Sequence, residues 1–193
     1  MTNPAYATNT ELVGQVVKRK TVENIAHLAS EARALGIPVF HTTVAAYEHY
    51  HGWSANSLLT GVFRKRPLVV GNPAVDIHPL LTPTADDHVI ERHRGITAFH
   101  GTELEYLLRN LGISSVIMTG VSANVAVNGS CIEAVNRGFT AVVPADCVSG
   151  ATDETHDFML ENIIRLVATI TTSSQLIEDL RGESDSSKYS LMS

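Results

Sequence analysis

The stretch TGVSANVAV, residues 119–127, reads as a buried strand that passes through a glycine turn into a helix. At such a helix start the backbone N–H groups of Asn124, Val125 and Ala126 can receive an anion or a developing oxyanion, whatever the side chains. A thiolate in the turn would also gain from the positive helix end. The residue in the turn is Ala126, however, and the first thiol is Cys131. Five residues on is about 140° further round a helix and more than a turn along it, so Cys131 cannot stand in for position 126. It reads as a packed core thiol, and so does Cys147. Neither cysteine has a CxxC partner, which argues against a disulfide framework or a zinc cluster.

The elements that must position this turn are legible as a repeat. Residues 20–35, KTVENIAHLASEARAL, place Val22, Ile25, Leu28, Ala29 and Ala32 on one helical face; Gly36 is a stop, and the β-rich run IPVFHTTV follows. The same step recurs when TELEYLLRNL, with Leu104, Leu107, Leu108 and Leu111 on one face, is closed by Gly112 before SSVIMTG. It recurs again when a helix from about Ala123 to Arg137 stops at Gly138 before FTAVVPAD. RPLVV and DHVIER are further strands, and MLENIIRLVA leads into TITT. Apolar strands alternating with amphipathic helices predict an α/β fold with a mostly parallel sheet covered on both faces. Ligands bind beyond the carboxyl ends of such strands, which directs attention to residues 41–43, 92–97, 120–126 and 146–150.

The chain has 193 residues, which suits a single domain over 1–182. Residues 183–193, polar and small, read as a disordered tail. Net charge is −6, from 14 basic and 20 acidic side chains. That balance leaves no field to neutralise phosphates, and the one basic cluster, Arg64, Lys65 and Arg66, is short, so nucleic acid is not the expected partner. No stretch approaches the roughly 18 apolar residues of a membrane helix, nor is there a signal-peptide pattern, and the expected location is the cytoplasm.

The run HRGITAFHGTELEYLLRNLGISSVIMTGVSANVAVNGSCIEAVNRGFTAVVPAD strongly resembles the isochorismatase-like hydrolases, also called the cysteine hydrolase family. The pairing of TAFHGTEL with TGVSANVAV is specific, and the likeness extends from Thr21 to the last helix. The resemblance implies a three-layer, doubly wound, Rossmann-like sheet of about six strands and a homo-oligomer. It implies a site of three parts: an acid ending the first strand, a basic residue before AF, and a cysteine in the turn. Ala126 occupies the cysteine position. A thioester route is then closed, although isochorismatases and related vinyl-ether hydrolases also lack that cysteine and use acid catalysis with water addition. Arg92 is the first candidate for the basic position and His93 the second. A guanidinium stays protonated and its planar fork suits a substrate carboxylate.

The first strand and its acid are absent or altered. The chain begins MTNPAYATNTELVGQVVKRK, and LVGQVV, the only strand-like run there, leads to no acid. Because that strand is central in the family's sheet, its loss would leave two unpaired edges, which a different N-terminal arrangement or a partner subunit would have to fill. Thr97 and Phe99 are expected pocket walls, with core packing the alternative for Phe99. His41 either faces the pocket or packs. Residues 45–66 read as a lid in which Trp53, Asn56 and Leu59 offer apolar and amide contacts. Nicotinamidases of the family hold a metal through such a loop, but Glu48, His49 and His51 offer only HxH spacing, and neither metal nor cofactor is expected. The resemblance also implies a cis peptide near Val121 and Ser122, with Val121, Ser122 and Val125 lining the site. The expected activity is hydrolysis of a small, carboxylated molecule at a vinyl-ether or C–N bond without a cysteine nucleophile. The alternative is an inactive member that binds a small anion or serves as an assembly subunit.

Overall fold

The computed structural model describes residues 10–190, with side chains as far as Gly182. It opens with helix α1, Thr10–Lys18, and α2, Thr21–Ala34. The strand-like run LVGQVV lies inside α1: its apolar residues recur with helical spacing, and Val16 is buried against Val22 and Leu81. Val22, Leu28 and Ala32 are buried on α2 as its periodicity predicts. The three stop glycines, Gly36, Gly112 and Gly138, all have φ between 67° and 82°, the left-handed conformation that ends a helix without a Cβ penalty.

Strand β1 is Phe40–Val44, the short helix α3 is Leu58–Phe63 and β2 is His88–Arg92. Next come α4, Leu104–Asn110, β3, Ser115–Ile117, and β4, Gly120–Val121. A π-helical turn, Ala123–Val127, leads into α5, Asn128–Asn136, so the expected single helix starts with one over-wide turn. The chain continues through β5, Thr140–Pro144, β6, Val148–Ser149, α6, Asp153–Phe158, β7, Thr169–Thr171, and α7, Ser173–Ser190. The backbone of α7 runs to Ser190, into the segment whose composition predicts a tail; residues 191–193 lie outside the described residues. RPLVV does not form a ladder. Pro67 has no N–H to donate and Gly71 turns the chain at φ 82°, so pairing shrinks to one bridge between Ala46 and Val69. The run MLENIIRLVA is wound as a π turn and a 3-10 turn, residues 159–166, rather than as an α-helix.

All strand pairs are parallel, but the sheet is in pieces: β1 with β2, β3–β5–β7, and β4 with β6. Alternate residues of β3 and β5 point to opposite layers. Val116, Ala141 and Val143 pack with Leu104, Leu108, Cys131 and Ala134 of α4 and α5, whereas Ile117 and Val142 meet Leu28, Leu176 and Ile177 of α2 and α7. Helices on both faces of a parallel sheet make the three-layer architecture that the sequence predicts. No hydrogen-bonded pair joins β1 to β3 among the described residues.

The free end of the β1–β2 pair is fastened by charge. Arg33 of α2 grips Asp87 with Nε at 3.0 Å and Nη2 at 2.7 Å; Thr84 N–H donates at 2.9 Å and His41 Nε2 lies at 3.1 Å. The Asp87 side chain is 1% exposed. The Arg33 hydrogen bonds hold its carboxyl well below the usual carboxylate range, against the opposing effect of burial. Stability from this group is therefore present above about pH 4 and is lost as the pH falls below that value. Asp87→Asn is expected to cost roughly 3–5 kcal/mol at pH 7, because it leaves Arg33 with no carboxylate partner there. In urea titrations followed by circular dichroism, the gap between wild type and variant should narrow steadily from about pH 4 downward. A gap that is independent of pH would show that the carboxylate charge is not what fastens this edge.

Candidate active site

Arg92 ends β2, level with Val44 of β1, and is 8% exposed. Its Nη1 donates to the carbonyl of Thr97 at 3.1 Å and reaches that of Gly95 at 3.5 Å, while Nε has no partner. Among the described residues no carboxylate comes within 4.0 Å of this guanidinium to form an ion pair. Burial lowers the pKa of Arg92 from its ordinary value, yet the group remains a cation. A buried cation held only by carbonyl dipoles is costly, and an anion beside it would relieve that cost. His93 is engaged elsewhere: its ring stacks on Tyr47 at 4.2 Å and its Nδ1 lies 2.9 Å from the Ala45 carbonyl.

The turn that follows β3 and β4 faces the same cavity. Val121–Ser122 is a cis peptide, as the resemblance implies. The Val125 and Val127 N–H groups both donate to the Ser122 carbonyl, at 3.3 and 3.1 Å, so of the three expected anion donors Val125 is already used within the turn. A cavity of about 370 Å3 is lined by Arg92, His41, Phe99, Val121 and Ala126, and among the described residues no Asp or Glu lines it. Ser122, Asn124 and Val125 do not line it, and Asn124 is exposed. Cys131 is fully buried in the α4–α5 layer, and burial pushes its thiol up to about 11. Cys147 is equally buried and its thiol is pushed up to about 12.

Trp53, Asn56 and Thr97 meet instead around a second cavity of about 400 Å3, with Arg94, His100 and Glu133. Trp53 is fixed by its Nε1–H, which donates to the Thr60 carbonyl at 3.1 Å, and by stacking on Phe63 at 5.7 Å. Leu59, the other lid contact read from the sequence, lines neither cavity. Glu48 and His49 stand 3.5 Å apart with side chains 86% and 88% exposed, and among the described residues no three metal-ligating side chains converge. Asp146, at the end of β5, caps α7 by accepting from Ser173 N–H at 2.8 Å and from its hydroxyl.

Sequence reasoning missed the link between the two cavities. Thr97 presents its carbonyl to Arg92 and its hydroxyl to Glu133 of α5, and a Cβ on Gly129 would stand 2.8 Å from Thr97 Cγ2. Gly129 therefore lets α5 close on the loop that carries Arg92. Its signal was a glycine in the first turn of a helix, where packing is the usual reason for it. Arg94 was likewise unread, although it sits in the same ERHRGITAF stretch.

Comparison with known proteins gives the family and the fold. Residues 9–175 match the isochorismatase domain model. The chain is 30% identical over 169 residues to the isochorismatase family protein YecD of Escherichia coli O157:H7, covering 83% of this chain and 84% of that one. It is 26% identical over 160 residues to maleamate amidohydrolase of Pseudomonas putida, covering 83% and 74%. Among solved structures, an isochorismatase family protein from Desulfovibrio vulgaris superposes with a TM-score of 0.74 at 26% identity, covering 84% and 85%. With the matched domain spanning the parallel sheet, the Arg92 strand end and the residue 119–127 turn, the chain belongs to the isochorismatase family of hydrolases.

Proposed function

We propose that this chain hydrolyses a small carboxylated molecule, at a vinyl-ether or C–N bond, by direct water addition rather than through a thioester. Arg92 holds the anionic group of the substrate, and the turn from Val121 to Ala126 forms the wall against which the reacting bond lies. The observation that carries this reading is the pairing, in one cavity, of a buried guanidinium that lacks a carboxylate partner with an alanine at the nucleophile position. A planar fork recognises a carboxylate bidentately, so binding energy at Arg92 can orient the rest of the substrate toward the turn. Direct water addition needs a carboxylic acid within hydrogen-bond reach of the substrate, and none lines the cavity among the described residues, so the reading requires one from outside them. The relatives include a maleamate amidohydrolase, whose name describes an amide carrying a carboxylate, which fits the substrate class.

A second reading, a pocket that binds such anions without turning them over, is favoured by the same lack of an acidic wall residue. Assays against isochorismate and a panel of carboxylated amides separate the two. Turnover retained in Cys131→Ala but reduced about 100-fold or more in kcat/KM by Arg92→Ala supports the hydrolase, a loss of about 2.7 kcal/mol of transition-state binding. Saturable binding without turnover, abolished by Arg92→Ala, supports the second reading. Amide turnover that disappears with Cys131→Ala would overturn both.

The thiols give an independent check. With both pushed to about 11 and 12 by burial, neither cysteine should react with a thiol-specific disulfide reagent in the native protein at pH 8, and both should react after unfolding in urea. Fast labelling of Cys131 in the folded state would reopen covalent catalysis.

A further inference from the structure

The outer cavity, about 400 Å3, carries charged groups of both signs, and they are unequally engaged. Glu133 is the one carboxylate on its wall among the described residues, and it already accepts from the Thr97 hydroxyl and pairs with Arg137 Nη2 at 3.0 Å. Arg94, on the same wall, makes no hydrogen bond or ion pair among the described residues. It is nevertheless held in place. A Cβ on Gly52 would stand 3.7, 3.8 and 3.7 Å from its Cζ, Nη1 and Nη2, near-equal distances that put the flat face of the guanidinium against Gly52 and leave the N–H edge free. Asn56 adds donors: its Oδ1 accepts from the Thr60 hydroxyl at 3.3 Å, so what it has left to offer is its amide N–H pair. The border is apolar, with Trp53 fixed by its bond to Thr60 and Ile96 37% exposed.

We propose that the outer cavity is a second binding site, separate from the one at Arg92, for a small carboxylate carried on a flat apolar body. The free edge of Arg94 and the Asn56 amide take the carboxylate, and Trp53 and Ile96 border the body. An exposed arginine ordinarily gives up side-chain freedom when it binds an anion, and one already packed by its face on a backbone gives up less. With Glu133 committed to Thr97 and Arg137, the positive charge of Arg94 is left for a ligand. Ile96 also lines the inner cavity, so the ligand rests against the side chain that parts it from Arg92. Occupancy of this site does not depend on whether the Arg92 cavity turns a substrate over.

Trp53 is the only tryptophan of the chain and borders the cavity, so its emission, excited at the red edge where benzoate is transparent, reports occupancy. Benzoate should change that emission saturably, with calorimetry as a second readout, and benzyl alcohol, the same ring without the charge, should bind about tenfold more weakly or worse. Arg94→Ala should bring benzoate down to the level of benzyl alcohol, and Arg94→Lys, which keeps the charge but not the fork, should fall between. Arg94 is exposed, so both variants should keep the circular dichroism of the wild type. No saturable response by either readout, or equal benzoate binding by wild type and Arg94→Ala, would overturn the site. Binding that survives Arg94→Ala but is lost in Arg92→Ala would assign the carboxylate to the inner cavity and overturn it as well. Inorganic phosphate binding as tightly as benzoate would overturn the part given to the flat apolar body.

Discussion

A parallel sheet covered on both faces has to pair its own backbone, because no water reaches the middle of it. That requirement explains most of what is distinctive here. The helices on both layers are in place, with Leu28, Leu176 and Ile177 on one side and Leu104, Leu108 and Ala134 on the other, yet the strands between them form separate ladders. Among the described residues the edges of β1 and β3 therefore face a cavity instead of a neighbour. Each piece compensates locally. The β1–β2 pair is tied to α2 through Arg33, Asp87 and His41, and β5 is tied to α7 through Asp146. Such side-chain fastenings matter more where a continuous ladder is not present to transmit order.

Much of the fold was legible because periodicity and helix stops are local signals. The face of α2, Leu104 and Leu108 of α4, and the glycines that end both helices follow directly from spacing, whereas Leu111, placed on the same face of α4, is 48% exposed. Where the reading failed, a local competitor won. LVGQVV has β-rich composition, but its apolar residues also suit a helix that packs Val16 on Leu81, and packing decided. RPLVV was undone by one missing N–H at Pro67 and one reversing glycine. The split of SSVIMTG into β3 and β4 was not readable at all, since it depends on which strand lies alongside at each step: β5 for Ser115, β6 for Gly120.

The site was half legible for a related reason. Strand ends point to a ligand region, and Arg92, Phe99, Val121, Ala126 and His41 do share one cavity. Trp53, Asn56 and Thr97 belong to another, because the loop from Gly95 to His100 passes between the two. Sequence gives the order of residues along that loop but not the side on which each is presented. The use of the Val125 N–H by the Ser122 carbonyl was equally hidden: the bond spans three residues, while the over-wide turn is closed by the Val127 N–H on the same carbonyl.

Thr97 has one further consequence. It is a party wall: its carbonyl fixes Arg92 in the inner cavity, while its side chain borders the outer one and is clamped between Glu133 and Gly129. The lid residues Trp53 and Asn56 can vary and reshape the outer cavity without moving the guanidinium, so long as Thr97 keeps its place. Changes in the lid thus meet a fixed boundary at Thr97, and lids of different shape can stand in front of the same buried guanidinium.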